Sequence, residues 1–401
     1  MSDTSPPRPR STEVLARLVD AATDASAFDL HRVVDLAGTL LGARSAHLLV
    51  ADYALRTFRR LGRDGPVGEP RSLEGTLAGR AFGTGELAVG GTDPTLVCIP
   101  LSDHGDRIGI LELDVDDWGD EQAAAAVQVQ ALLPLVLVTN RRHTDVLLRA
   151  RRSRPLSPAA EMQWDLLPPQ TGSTAEVSVS GTLEPAYEVG GDSFDFALNP
   201  GRLDFAIVDA VGHGIAAVLM SVAAINGLRN ARRDGANLIS TYLAVSRIIE
   251  GQFPPGTFVT AQFGSLALGT GELTWINAGH PLPLLVRDGT FIGPVPCAPS
   301  MPLGLGDRVE EIRTTSLQPG DRLLFHTDGV IETRTPDGVE FGADRLADHL
   351  VRATLDQTPP PETVRRIIQS VMTHNDAHLV TTPPCCSSTT WAPTTTQADP
   401  A

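Results

Sequence analysis

The sequence predicts a two-domain protein of mixed α/β (α+β) class, and three observations predict it. The chain has 401 residues, 42% of them apolar, enough for two cores of ordinary size. Its first third shows apolar residues at helical spacing from Thr12 to Leu41 and strand-like runs from Leu48 onward, the pattern of a helix-then-sheet module. Its second half repeats one device, a turn and a short apolar strand that ends on an aspartate beside glycine.

Composition narrows the classes of function. Basic residues number 32 against 48 acidic, a net charge of −16, which argues against nucleic acid as a partner. Every basic residue is arginine and no lysine occurs; with abundant Ala, Gly and Pro this points to a GC-rich coding sequence. Residues 1–10 are rich in Ser, Pro and Arg, lack an apolar signal-peptide core and are expected to be disordered. No stretch reaches membrane-spanning length free of polar residues, so the expectation is a soluble, cytoplasmic protein without a membrane partner. Cys98 and Cys297 stand alone and Cys385 and Cys386 are adjacent, which gives neither a disulfide framework nor a zinc site.

In chain order, the N-terminal module spans residues 11–140. After its helical start come Leu48-Leu-Val50, the glycine-marked Gly75-Thr-Leu-Ala-Gly-Arg-Ala-Phe-Gly-Thr-Gly85, Leu96-Val-Cys-Ile-Pro-Leu101 and Arg107-Ile-Gly-Ile-Leu-Glu-Leu113. This order is similar to a GAF domain, although a PAS-like α/β sensor reads the same way. Either scaffold leaves the sensed ligand unknown. His31, His47 and His104 are too scattered for a haem or metal site and read as core or surface residues. Ala123 to Leu148 is a helix-compatible run that Pro134 should kink or restart. Arg141-Arg142 and Arg149 to Arg154 then read as a solvated charged face. Residues 141–168 form a helical linker ending in Glu161-Met-Gln-Trp-Asp-Leu-Leu-Pro168.

The chemistry lies beyond it. Leu203 to Val208 reads as a strand that delivers Asp209 to a turn at Gly212 and Gly214, glycines that would let backbone approach closely. Gly190-Gly191 lets the backbone bend and approach closely while Asp192 is presented beside it. Arg322 to His326 repeats the device and presents Asp328 before Gly329. Clustered aspartates repel unless a cation lies between them, and hard oxygen donors suit Mg2+ or Mn2+. Singly, an Asp-Gly is more often a turn than a ligand; the number and order of these change that.

The blocks Gly190-Gly-Asp-Ser-Phe-Asp195, Asp209-Ala-Val-Gly-His-Gly214, Thr257-Phe-Val-Thr-Ala261, Asn277-Ala-Gly-His-Pro281, Pro302-Leu-Gly-Leu305 and Pro319 to Glu332 resemble the bacterial PP2C-type serine/threonine phosphatases of the SpoIIE and RsbU kind. The resemblance implies an α-β-β-α sandwich over residues 169–380 and a binuclear Mn2+ or Mg2+ centre. In line with it, Asp192, Asp209 and Asp328 carry the catalytic metal site, joined by the backbone carbonyl of Ala210. Asp195 is expected in support of the site or as a turn cap, and His213 and His280 as residues that orient loops. The implied substrate is a phosphorylated STAS-type anti-sigma factor antagonist. The helical linker, by the same resemblance, transmits the sensor state and joins a homodimer.

The end of the chain departs from that pattern. Relatives close with Asp-Asp-Ala-Thr-Leu-Leu-Leu, an aspartate ligand followed by a core strand. Here Thr381-Thr-Pro-Pro-Cys-Cys-Ser387 follows Ala377-His-Leu-Val380, and two prolines are expected to leave no strand. Asp376 lies too early to substitute. The codons GAC GAC GCC ACC CTG CTG CTC, read one base later, translate as Thr-Thr-Pro-Pro-Cys-Cys-Ser. Residues 381–401 are therefore expected to be an aberrant, disordered tail read out of frame, and the alternative function is a catalytically impaired interaction module.

Overall fold

Residues 11–24, 29–91, 95–184, 186–187, 190–375 and 385–391 are described by the computed structural model, with 11–13, 24 and 385–391 described by their backbone alone. The chain divides into two units, Met1–Pro155 and Leu156–Ala401. The expected disordered start, 1–10, lies outside the described residues.

The first unit runs α1 (Ser11–Asp24), α2 (Leu30–Leu40), β1 (Ala43–Ala51), β2 (Thr57–Gly62), β3 (Gly65–Ser72), α3 (Leu77–Thr84), β4 (Ala88–Gly90), β5 (Thr95–Asp103), β6 (Asp106–Val115), α4 (Asp120–Asn140) and α5 (Val146–Ala150). Its strands form one sheet in the order β3-β2-β1-β6-β5-β4. Alternation along the strands feeds two cores. Leu48, Val50, Leu111 and Leu113 meet Val33, Ala37 and Leu133 of the helices, whereas Leu49, Ala51, Cys98 and Ile110 meet Phe82 of α3. That short helix is bounded by its own sequence: Thr76 Oγ1 accepts from the Gly79 N–H at 3.0 Å, and Gly85 ends it at φ 76°.

The structure narrows two expectations in this unit. Pro134 does not restart the helix, because α4 runs through it from Asp120 to Asn140. The lost backbone bond is offset by the burial of Ala126, Val129, Leu133 and Leu137 on the same helix. By length and composition α4 is also apolar enough to cross a membrane, and those four residues belong to the unit's core. The arginine run is not simply a solvated face. Arg149 donates to the Asp64 carbonyl at 2.9 Å and Arg151 lies over the Tyr53 ring at 4.5 Å.

The second unit runs α6 (Pro158–Leu166), β7 (Thr171–Ser173), β8 (Val177–Leu183), β9 (Gly190–Asn199), β10 (Arg202–His213), α7 (Ile215–Arg233), α8 (Leu238–Gln252), β11 (Val259–Ala267), β12 (Glu272–Ala278), β13 (Leu284–Arg287), β14 (Thr290–Pro294), β15 (Arg313–Ser316), β16 (Arg322–His326), α9 (Asp328–Glu332), α10 (Gly342–Leu355), α11 (Pro360–His374) and β17 (Cys385–Trp391). Two sheets form, β15-β12-β11-β10-β9 and β14-β13-β16-β17-β8-β7. Between them Leu203, Phe205, Ile207 and Trp275 pack on Val177, Val179, Leu323 and Phe325. On the outer side of the first sheet, Ala206, Val208 and Ala210 meet α7 and α8 through Ala217, Ala224, Val245 and Ile249. Outside the second, Leu284, Val286 and Leu324 meet α10 and α11 through Leu346, Leu350, Ile367 and Val371. The result is an α-β-β-α sandwich.

The expected structureless tail is corrected at 385–391. That segment is β17, which pairs with β16 on one side and β8 on the other, Ser387 standing opposite both Phe325 and Gly181. The physical reason is position: Pro383 and Pro384 precede the first paired residue, Cys385, so no ladder N–H is missing. Residues 376–384 and 392–401 lie outside the described residues.

Candidate metal centre

Asp192 and Asp209 stand directly opposite one another on the antiparallel pair β9 and β10. Strand alternation puts Asp209 on the side of Phe205 and Ile207, facing the second sheet. β10 does not end at Asp209 as expected. It continues to His213, with its register against β9 slipping between the two. The slip is made by glycines in two different ways. A Cβ on Gly191 would lie 2.0 Å from the Ala210 carbonyl oxygen, so close approach requires glycine there. Gly212 and Gly214, expected to allow a similar approach, instead take φ of 97° and 73° with open space where a Cβ would be. They turn the chain into α7 rather than admitting a neighbour.

The third carboxylate comes from the other sheet. β16 ends at His326, and Asp328 opens α9. Between them Thr327 donates its hydroxyl to Asp192 Oδ2 at 3.0 Å. Asp192 is fully buried and its Oδ1 has no hydrogen-bond partner among the described residues. Burial first, and then the charge of Asp209, hold the Asp192 carboxyl well above the usual carboxylate range. Burial, with a further contribution from the charge of Asp328, pushes Asp209 up to about 6, partly offset by its close contact with the Asp192 carboxyl. Like charges buried in cross-strand contact destabilise each other unless a cation or a proton intervenes. The orphaned Oδ1 and the pair itself therefore fit a hard divalent cation. Among the described residues no three His, Cys, Asp or Glu side chains converge on one point; Asp328 acts on the pair through its charge. The two positions matched to the relatives' final aspartates, Thr381 and Thr382, lie outside the described residues.

Asp195 is neither beside the pair nor a cap. Three residues from Asp192 on the same strand, it falls on the opposite, helix-covered face. There Arg229 reaches its Oδ1 at 2.7 Å and Arg232 its Oδ2 at 2.8 Å. His280 is buried and orienting: its Nδ1 meets Thr260 Oγ1 at 3.0 Å, its Nε2 meets the His326 carbonyl at 3.1 Å, and its backbone N–H donates to Asn277 Oδ1 at 2.7 Å. Burial depresses its pKa to about 3, so the ring is neutral. His213 is exposed at the end of β10.

Sequence reasoning assigned no role to several residues that hold this site. Gln163 of α6 donates to the Asp192 carbonyl, and Ser221 of α7 donates to the Gly191 carbonyl. Arg229 also donates to the Leu166 carbonyl at 2.7 Å, joining the end of α6 to Asp195. Gln163 had a signal, its place in Gln163-Trp-Asp-Leu-Leu-Pro168. Ser221 and Arg229 had none, because a helix face bonded to a distant strand leaves no local pattern.

Residues 199–380 match the family described as Stage II sporulation protein E (SpoIIE). Phosphoserine phosphatase RsbU of Bacillus subtilis is 24% identical over 183 residues, 45% of this chain and 54% of RsbU. Phosphoserine phosphatase RsbP of the same organism is 23% identical over 209 residues, 51% of this chain and 49% of RsbP. The chain thus spans about half the length of the curated relatives it matches. Among solved structures, the SiaA-PP2C domain of Pseudomonas aeruginosa is 19% identical with a TM-score of 0.49, covering 57% of this chain and 93% of that one. The RsbU and RsbW domains of a Mycobacterium tuberculosis protein give 27% and 0.47, covering 55% and 62%. Over residues 199–380 the chain is therefore similar to the SpoIIE family, and over about half its length to RsbU and RsbP.

Proposed function

We propose that this chain is a Mn2+- or Mg2+-dependent protein serine/threonine phosphatase. The observation that carries the reading is the buried cross-strand pair Asp192 and Asp209, with an orphaned carboxylate oxygen and a third carboxylate, Asp328, brought from the facing sheet. Asp192, Asp209, Asp328 and the Ala210 carbonyl hold the metal site. When bound, paired divalent cations supply a water of lowered pKa and neutralise charge on the phosphoryl oxygens. The protein's part is to fix the carboxylates and exclude bulk water from Asp192, which is 0% exposed.

The substrate is a phosphorylated STAS-type anti-sigma factor antagonist in a partner-switching pathway. The resemblance to RsbU and RsbP, both named phosphoserine phosphatases, supports this choice. The first unit is a GAF-like sensor of unknown ligand, and the helical linker passes its state on and joins a cytoplasmic homodimer. Support for transmission is local: the linker's last helix, α6, bonds through Gln163 to the backbone of Asp192. The test is Mn2+-dependent hydrolysis of p-nitrophenyl phosphate, abolished in Asp209→Asn. Activity that survives this substitution overturns the assignment.

One observation favours a second reading, a catalytically impaired module that binds its phosphoprotein or kinase partner without turnover. The family match ends at Val380, immediately before Thr381-Thr382 replace the aspartate pair. Turnover that stays absent after Thr381→Asp and Thr382→Asp supports this reading.

A further inference from the structure

The carboxylates of the site belong to two different sheets. Asp192 and Asp209 stand on β9 and β10 of the first, and Asp328 follows β16 of the second. Sheets packed face to face lie about 10 Å apart and are joined mainly by non-directional apolar contact, so directional bonds near the site must set its final spacing. One such tie is Thr327 Oγ1 to Asp192 Oδ2. A second passes through a single imidazole.

His280 follows β12 of the first sheet, where the Asn277 side chain clamps its turn by accepting from the His280 N–H and donating to the His280 carbonyl at 3.0 Å. A carbonyl can only accept, so Nε2 carries the hydrogen and donates to the His326 carbonyl, and Nδ1 accepts from the Thr260 hydroxyl. Both ring nitrogens are used, and the tautomer is determined. The two partners are informative. Thr260 is the β11 residue directly opposite Asp209, and His326 is the last residue of β16 before Thr327-Asp328.

We propose that His280 is a positioning residue, which holds the end of β16, and Asp328 with it, at a fixed spacing from Asp209 before any cation arrives. The inference rests on the metal-dependent reading above and assigns this side chain its part in it. Residues that orient metal-bearing groups without touching the ion typically change metal affinity by about 10–100-fold when removed.

The experiment compares the full chain with His280→Phe, which keeps a ring and loses both bonds, and Thr260→Val, which removes the donor to Nδ1. Tyr242→Phe is the control, since it deletes a buried bond to the Met301 carbonyl that has no part in the site. Free Mn2+ is counted by electron paramagnetic resonance, beside thermal melting and the Mn2+ dependence of p-nitrophenyl phosphate hydrolysis. His280→Phe should weaken Mn2+ binding by about tenfold or more. Thr260→Val should weaken it less, and add little when combined with His280→Phe. Unchanged Mn2+ affinity in both variants overturns the proposal alone, as does an equal loss in Tyr242→Phe. Should His280→Phe not fold, Thr260→Val with normal affinity overturns it just as well. A parent chain that binds no Mn2+ overturns the metal-dependent reading, and this inference with it.

Discussion

Replacing Cys385, Cys386 and Ser387 with leucine tests whether the last strand occupies a slot shaped for a different sequence. β17 lies between β16 and β8, in the interior of a sheet with the inter-sheet core on one side and α10 and α11 on the other. Position 385 is opposite Leu183, and 387 is opposite Phe325, neighbours that are each 2% exposed. Complete burial of a leucine is worth about 1.5–3 kcal/mol. Three leucines at roughly half that value, less a kilocalorie or so for imperfect fit, give about 2–3 kcal/mol. In a unit of this size that corresponds to a rise in Tm of roughly 5–10 °C. The assay is thermal unfolding followed by circular dichroism in EDTA, so that metal plays no part. A triple-leucine variant that melts at or below the parent refutes the reasoning and removes the structural support for an out-of-frame tail. Thr381→Asp with Thr382→Asp forms the complementary arm. It should raise Mn2+-dependent hydrolysis of p-nitrophenyl phosphate without reproducing the rise in Tm.

Further outcomes follow from the same geometry. Asp209 is raised from 3.8 to about 6, so the folded state binds more protons than the unfolded one between those values. The stability this contributes is present below the unfolded pKa and lost as pH rises through about 6. It amounts to about 3 kcal/mol. Metal-free protein should therefore melt higher at pH 5 than at pH 7.5, and Asp209→Asn should reduce that difference, the buried Asp192 keeping the remainder, while abolishing Mn2+-dependent turnover; a profile unchanged by the substitution contradicts the shift. Gly191→Ala forces its new Cβ against the Ala210 carbonyl at 2.0 Å, so β9 must move. Activity should fall at least tenfold and stability by a few kcal/mol, by the usual cost of strain in a packed interior. Asp195→Asn leaves Arg229 and Arg232 without their shared carboxylate. A loss of about 3 kcal/mol is expected on chemical denaturation, and a change within ±0.5 kcal/mol would show the cluster to be inconsequential.

The three aspartates proposed for the metal site were legible because each is announced locally, Asp209 and Asp328 by a strand before them and Asp192 by its two glycines, whereas the α-β-β-α arrangement was read from the resemblance of the sequence blocks. Asp195 was not, because its partners lie 34 and 37 residues away on α7, and only the strand's parity separates its face from that of Asp192. Gly212 and Gly214 were read as allowing approach when their positive φ is what the turn needs. Pro134 was read by its local cost alone, yet the core contacts of α4 exceed it. The two prolines near the C-terminus were weighed as though they lay within a strand. Whether proline breaks a strand depends on where pairing starts, and here it starts one residue later.

That position gives the last strand a double bearing on the site. β16 delivers Asp328, and it is held on one side by β13 and on the other by β17. His326, whose carbonyl receives the His280 ring, stands opposite Cys386. A change in this segment can therefore act on the metal centre through two separate routes, by withdrawing a carboxylate just before the strand and by loosening the strand that braces Asp328. Mn2+ affinity reports on both routes, whereas melting in EDTA reports only on the second. If the leucine substitutions raise Tm and also tighten Mn2+ binding, while the aspartate substitutions tighten binding alone, then the bracing of β16 is part of how the centre is assembled. If the leucine substitutions raise Tm and leave Mn2+ affinity where it was, the ties through Thr327 and His280 are sufficient to position Asp328.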